Sequence, residues 1–321
     1  LAAGGFYLEF EKPIIELEKK IREMKEFSSG GGVELNSEII SLERKLEKLQ
    51  SEIFSKLSRW QRVQLARHPK RPYTMDYIQL IFSDFLEIHG DRGFADDKAV
   101  ICGFGKLEGE KVLIVGQQKG RDTKQKLERN FGMMHPEGYR KALRLMRTAA
   151  RFGRPIVIFI DTPGAFPGVE AEERGQAEAI ARNILEMFKL QVPIIIIIIG
   201  EGASGGALGI GIGDKVMMLE NSWYSVISPE GCAAILWRDN AKAPDAAEAL
   251  RLSATDLMQL KVIDKILPEP TGGAHRNHQL AGQIIKGELF ASLEELKQLS
   301  TEELLRRRLE KFRAIGIYDE I

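Results

Sequence analysis

Two stretches decide the reading: Pro155-Ile-Val-Ile-Phe-Ile-Asp-Thr-Pro-Gly-Ala-Phe-Pro-Gly168 and Pro193-Ile-Ile-Ile-Ile-Ile-Ile-Gly-Glu-Gly-Ala-Ser-Gly-Gly206. Each is a run of apolar residues without polar alternation, ended by a glycine-containing turn. A strand without alternation buries both faces, as in a parallel sheet between layers of helix. Helical patterning resumes after each turn, from about Ala171 to Leu190 and again, in small residues, from Ala207. Strand, tight turn and helix in repetition predict an α/β fold.

Upstream, Val100–Phe104 and Lys111–Val115 flank a turn at Glu108-Gly-Glu110, a hairpin signal. Downstream, Lys215–Leu219 and Ser225–Ile227 read as shorter strands. Ser228 and Pro229 then open a helix as N-cap and first helical residue. Ser292-x-x-Glu295 and Ser300-x-x-Glu303 have the form of capping boxes. The basic run Arg306–Arg308 to Arg313 reads as a solvated or subunit-facing surface. At the other end, Ile14, Leu17, Ile21 and Met24 put an apolar stripe on a helix from Glu11 to Phe27. The breaker run Ser28–Gly32 precedes a second helix whose spacing runs from Ile39 to Trp60, capped by Asn36 or Ser37. The two helices form an antiparallel hairpin that packs on its own domain or on a partner. Arg67-His-Pro-Lys-Arg-Pro72 reads as a basic connector or an acidic-ligand contact. The division is residues 1–75, hairpin and connector, and residues 76–321, the α/β domain with carboxyl-terminal helices.

Composition narrows the function. Lys+Arg and Asp+Glu are equal at 46 each, which removes the electrostatic case for nucleic acid, at most a secondary ligand, or for anionic membrane as the main partner. Cys102 and Cys232 are the only cysteines, with no metal-ligand spacing, so no metal is expected and a reducing compartment is. The longest apolar run, Val192–Ile199, is far short of the ~20 residues of a membrane span. With no secretory pattern, the expected setting is a cytosol or organelle matrix. The opening Leu1–Gly5 carries no reading. Glycine is in excess, 31 of 321 residues, against ~7% in an ordinary chain.

Those glycines cluster where strands end. Turns at the carboxyl ends of two successive strands aim backbone N–H groups at whatever lies over them. Gly205 and Gly206 have no side chain to block a close approach. Two converging donors form an oxyanion hole; the competing reading is that the glycines allow helix–strand packing. Gly209-x-Gly211-x-Gly213 lacks the dinucleotide-binding spacing. Gly202-Ala-Ser204-Gly-Gly206 matches the nucleophile elbow of serine hydrolases, with Asp214 or Asp239 and His275 or His278 following in order. Glu201 and Glu230 are the acids nearest the turns. Either is a general base or, for Glu230, an acid favoured by a helix N-terminus.

Arg92-Gly-Phe-Ala-Asp-Asp97, Asn130-Phe-Gly-Met133, Pro136-Glu-Gly-Tyr-Arg-Lys-Ala-Leu-Arg-Leu-Met146, Phe159–Ala165, Glu172-Glu-Arg-Gly-Gln176, Gly200–Gly206 and Tyr224–Gly231 together resemble one family. It is the alpha subunits of the carboxyltransferase component of multisubunit, bacterial and plastid type, acetyl-CoA carboxylases. The similarity runs to about Gly316, with Ala203 where the family commonly has Gly and Phe166 where it often has Tyr. The resemblance implies a crotonase-like superhelix of ββα units and a heterotetramer of two alpha and two zinc-ribbon beta subunits. It implies carboxyl transfer to acetyl-CoA from carboxybiotin, covalently held on a separate biotin carboxyl carrier protein. The product is malonyl-CoA, for fatty-acid synthesis. It places the chain in an ATP-binding complex with biotin carboxylase, in cytoplasm or plastid stroma. Backbone N–H groups of Gly205, Gly206 and Ala207 with those of Gly164 and Ala165 would then stabilise the biotin enolate. Gly202, Ser204, Phe166 and Pro163 would line the biotin pocket, and Ser204 would be no nucleophile. A stand-alone crotonase-type acyl-CoA enzyme and the Ser204 hydrolase are the alternatives.

Overall fold

The computed structural model of the chain describes residues 6–29 and 36–316. Helices α1 (Lys12–Ser29), α2 (Asn36–Ser55), α3 (Arg59–Ala66) and α4 (Thr74–Ile81) lead into strands β1 (Ser83–Glu87), β2 (Val100–Leu107) and β3 (Glu110–Gln117). Then come α5 (Thr123–Glu128), α6 (Pro136–Arg151), β4 (Ile156–Thr162), α7 (Val169–Glu173), α8 (Gln176–Met187), β5 (Ile194–Ala203), α9 (Ser204–Leu208), β6 (Lys215–Leu219) and β7 (Trp223–Ser225). The chain closes with α10 (Pro229–Trp237), α11 (Ala243–Leu250), α12 (Ala254–Gln259), β8 (Lys265–Leu267), α13 (His278–Lys297) and α14 (Thr301–Arg313).

The strands form one sheet in the order β1-β2-β3-β4-β5-β6-β8, with β7 paired to the far end of β5. β1 to β3 are antiparallel and everything from β3 onward is parallel. The unalternating isoleucines do what their pattern demands. Ile156, Ile158, Ile160, Ile194, Ile196 and Ile198 pack with α6 and α8 through Tyr139, Met146 and Met187. Val157, Phe159, Ile195, Ile197 and Ile199 face the other way, onto α4 and α13 through Tyr77, Ile285 and Leu289. A parallel sheet covered on both faces is the result.

Several boundaries differ from expectation, each for a local reason. β5 continues through Gly200 and Gly202 to Ala203, because β7 supplies a partner for Glu201–Ala203. The small-residue helix therefore begins at Ser204, not Ala207. The expected Ala171–Leu190 helix is α7 and α8, broken at Gly175, whose φ is 81°. The strand expected at Ser225–Ile227 is β7, ending at Ser225. The second helix of the hairpin stops at Ser55, and Trp60 belongs to α3, where the Ser58 hydroxyl accepts the Gln61 N–H at 3.2 Å. Ser292 caps nothing: it lies inside α13, which Asn277 caps. Ser300 does cap α14. Arg308 is no surface residue. It is buried, paired with Asp214 and donating to the carbonyls of Met187, Leu190 and Val192.

The hairpin packs at its base on this chain. Ile14 and Ile21 are buried, Arg276 reaches Glu18 at 2.8 Å, and Glu11 sits beneath the stacked rings of His68 and His275. The breaker run lies outside the described residues beyond Ser29. Arg67–Pro72 is a connector whose acidic contacts lie within the chain: Arg67 pairs with Glu201 and Glu230, Arg71 pairs with Glu269, and His68 and Arg71 are both buried. His68 Nδ1 accepts the Lys70 N–H at 3.2 Å, so the neutral ring carries its proton on Nε2, toward Glu11. Burial, with His275 nearby, pushes the His68 pKa down to about 4. The unfolded chain, with His near ~6.5, then binds more protons between those values, so stability falls as pH drops through that window. Protection factors of the α1 amides, the observed exchange corrected for the intrinsic rate at each pH, should therefore fall between about pH 6.5 and 4, and pH-independent protection factors would contradict this anchorage.

Candidate active site

β4 and β5 are parallel neighbours, with Thr162 opposite Gly202, so their following turns leave the same sheet edge together. The turns touch. A Cβ on Gly206 would lie 2.5 Å from the Ala165 nitrogen and closer still to the Gly164 carbonyl carbon. Glycine is required at 206 by that contact between backbones rather than by an open pocket.

Gly164 N–H is taken by the Thr162 hydroxyl at 3.2 Å, and Phe166 N–H by the Met134 carbonyl at 3.1 Å. Pro163 has none. Ala165 N–H is left without an acceptor. Across from it, α9 starts without a side-chain cap, so Ser204, Gly205 and Gly206 present the opening amides of a helix. Ala207 N–H sits four residues past Ala203 and closes the first helical bond.

Pro163, Gly164, Ala165, Phe166, Ser204 and Gly205 line a common cavity of about 480 Å³. Gly206 and Ala207 lie buried behind it, and Gly202 lies outside it, within β5 against the Tyr224 ring. A second, more apolar cavity of about 520 Å³, walled by Tyr224, Leu257, Val262 and Phe312, shares Ser204 and Gly205. Gln176 stiffens the first cavity's wall, donating to the carbonyls of Met134 and Phe166 at 2.8 and 3.0 Å.

Beside the turns stands a charged cluster: Glu201, Glu230 and Arg67 are visible in the sequence only apart from one another, and its central cation, Lys119, is not singled out there. Lys119 Nζ lies 2.7 Å from Asp161 and 2.5 Å from Glu201. Arg67 Nε donates to Glu201 at 2.6 Å, and its guanidinium also pairs with Glu230. Burial lowers the Lys119 pKa, but Asp161 and Glu201 outweigh it and hold the ammonium above its ordinary value. Burial likewise raises Glu201, while Lys119 and Arg67 bring its carboxyl below the ordinary range. Glu201 is therefore an ionised structural anion with both oxygens engaged, poorly suited to take a proton. Glu230 is the partner of Arg67. The signal for this cluster is Gln117-Gln-Lys119 at the end of a buried strand, where polar residues need partners.

The elbow geometry at Ser204 is present: φ is 55°, and the side chain is exposed. The rest of a triad is not. His275 stacks on His68 and bonds Glu11 at 3.2 Å, and His278 bonds the Lys70 carbonyl at 2.8 Å. Asp214 is paired with Arg308, and Asp239 accepts Ala241 N–H. Ser204→Ala should accordingly cost less than about tenfold in activity. Complete loss, or labelling of the wild type by a serine-directed phosphonate, would restore the hydrolase reading.

Residues 7–316 match the family model described as acetyl co-enzyme A carboxylase carboxyltransferase-like. An acetyl-coenzyme A carboxylase carboxyl transferase subunit alpha from Geobacter metallireducens is 58% identical over 318 residues, 99% of this chain and 100% of that protein. The namesake from Thermus thermophilus is 58% identical over 313 residues, 98% of this chain and 99% of that one. Among solved structures, transcarboxylase 12S aligns with a TM-score of 0.54 at 20% identity, covering 70% of this chain and 42% of that one. The beta subunit of a geranyl-CoA carboxylase from P. aeruginosa aligns with a TM-score of 0.53 at 15% identity, covering 83% and 47%. These structures speak for the fold, which is crotonase-like as the motifs implied. The chain belongs to the family of acetyl-CoA carboxylase carboxyltransferase alpha subunits.

Proposed function

We propose that the chain, with a beta subunit, transfers the carboxyl group of carboxybiotin to acetyl-CoA and so yields malonyl-CoA. The observation that carries the reading is the acceptor-free Ala165 amide lying against Gly206, beside the opening amides of α9, at the mouth of a cavity. A volume of about 480 Å³ falls in the ~300–1,000 Å³ range of small-molecule sites. The apolar walls offered by Pro163, Phe166 and Ile180 suit a flat bicyclic ring. When bound, carboxybiotin supplies the carboxyl group and leaves negative charge on its ureido oxygen.

The chain's part is to meet that charge. Ala165 N–H and the Gly205 and Gly206 N–H groups donate from a fixed backbone, which needs no reorganisation as charge develops. Lys119 and Arg67 neutralise Glu201 and Asp161 behind the turns, so those two carboxylates do not oppose it. No side-chain nucleophile takes part. The carrier holding the biotin, the biotin carboxylase that loads it, the two-alpha two-beta assembly and a cytoplasmic setting belong to the same reading. Among the described residues, no helix is long and apolar enough to cross a membrane.

The test is malonyl-CoA formation from a carboxybiotin donor and acetyl-CoA. The purified chain should show no turnover until the beta subunit is added. Turnover by the chain alone would favour a stand-alone enzyme.

A further inference from the structure

We propose that Gln117 is a positioning residue that sets the spacing of the two amide-bearing turns. It is the last residue of β3 and is wholly buried. Its Nε2 donates to the Gly206 carbonyl at 2.7 Å, and its Oε1 accepts the Asp161 N–H at 3.1 Å. One planar carboxamide thus ties α9 to the end of β4, two residues before Pro163.

The Gly206 carbonyl needs an outside donor. In a continuing helix it would accept from Ile210 N–H, but that group turns to Ala207 O at 3.2 Å, and Gly209 N–H takes Gly205 O at 2.9 Å. A buried carbonyl is left for a side chain to satisfy. The Tyr139 hydroxyl reaches it only at 3.5 Å. A five-residue helix containing two glycines has no stability of its own, so its direction is set from outside. Gln117 is itself well fixed: its backbone pairs with Val100, and its carbonyl accepts the Thr74 hydroxyl at 2.6 Å. A rotation of this carboxamide would move the Gly206 peptide relative to Asp161, and with it the amides facing the cavity. The proposal rests on the reading that those amides meet the transferred charge.

Two variants test it in the reconstituted alpha–beta complex. Gln117→Met keeps the volume and loses both hydrogen bonds. Gln117→Glu makes the bridge titratable. Protonated, the carboxyl donates to Gly206 O and accepts from Asp161; ionised, it sets oxygen against oxygen. Asp161, Lys119 and Glu201 at the same strand ends, and Tyr139 from α6, are common to all three proteins. The variant-to-wild-type ratio therefore isolates position 117.

Gln117→Met should lower kcat about 10²-fold, with KM for acetyl-CoA and for the biotin donor within about twofold. For Gln117→Glu, the kcat ratio to wild type should rise at least about tenfold between about pH 8.5 and 6, while the Gln117→Met ratio stays flat. Wild-type kcat in Gln117→Met, a loss confined to KM, or a pH-independent Gln117→Glu ratio overturns the positioning role. If the methionine variant does not fold, the pH ratio of the glutamate variant carries the test by itself. Absence of malonyl-CoA from the wild-type complex is a different failure, which overturns the carboxyl-transfer reading and the clamp with it.

Discussion

Replacing Gly206 with valine is expected to abolish carboxyl transfer by the alpha–beta complex, and replacing it with alanine to reduce transfer by about 10²–10³-fold, the scale for losing one oxyanion donor. The first added carbon meets the Gly164–Ala165 peptide, which is backbone and cannot swing aside as a flexible side chain would. The two turns must part, and the Ala165 amide moves away from the opening of α9. Overpacking of this kind costs about 1–3 kcal/mol in stability, little enough for a large subunit to stay folded. Circular dichroism and retained association with the beta subunit separate the two effects. A useful contrast is Gly287→Ala, on the exposed side of α13 with nothing within 4 Å of the added carbon. It should leave transfer unchanged and stabilise the helix by about 0.5–1 kcal/mol.

Arg71→Met is expected to be the most destabilising single change, at about 3–5 kcal/mol. Arg71 and Glu269 are 1% and 0% exposed, with Nη1 at 2.7 Å and Nη2 at 2.5 Å from the carboxylate. The guanidinium also donates to the Ile199 carbonyl at 3.0 Å, pinning α4's approach to β5 just before the site. Without it, Glu269 stays buried among the Ala274 and Asn221 amides with no cation. A fall in melting temperature of about 4–8 °C follows from that magnitude. Replacing both partners with methionine should recover most of the loss, since it removes the uncompensated charge. A single variant as stable as the wild type would contradict the assignment of Arg71 as an internal strut.

How much of this the sequence discloses depends on the distance over which the cause acts. The isoleucine runs and their turns are legible because burial on two faces is written in consecutive residues. Ser58, Ser228 and Ser300 act within three residues of themselves, and the last two are read correctly. Gly200 and Gly202 mislead: glycine signals a turn, yet β7 arrives from twenty residues later and holds them in a strand. β1 escapes notice because its burial is slight and irregular, and it exists as the edge partner of β2. Arg308 reads as a surface charge and Arg71 as part of a basic connector, since nothing nearby announces Asp214 or Glu269 as partners. The site divides in the same way. Its glycines are visible locally, whereas its supports, Lys119 between two carboxylates and Thr162 consuming the Gly164 amide, are set by the meeting of strand ends.

The narrowing from a pair of turns to a few particular N–H groups is open to direct measurement. The alpha–beta complex would be crystallised with biocytin, the biotin–lysine adduct that stands in for the carrier's side chain. The account predicts the ureido oxygen about 2.7–3.1 Å from Ala165 N and from Gly205 or Gly206 N, with its ring against Phe166. A ureido oxygen held by a side chain, or bound away from the Gly164–Ala165 and Ser204–Gly206 turns, would contradict it.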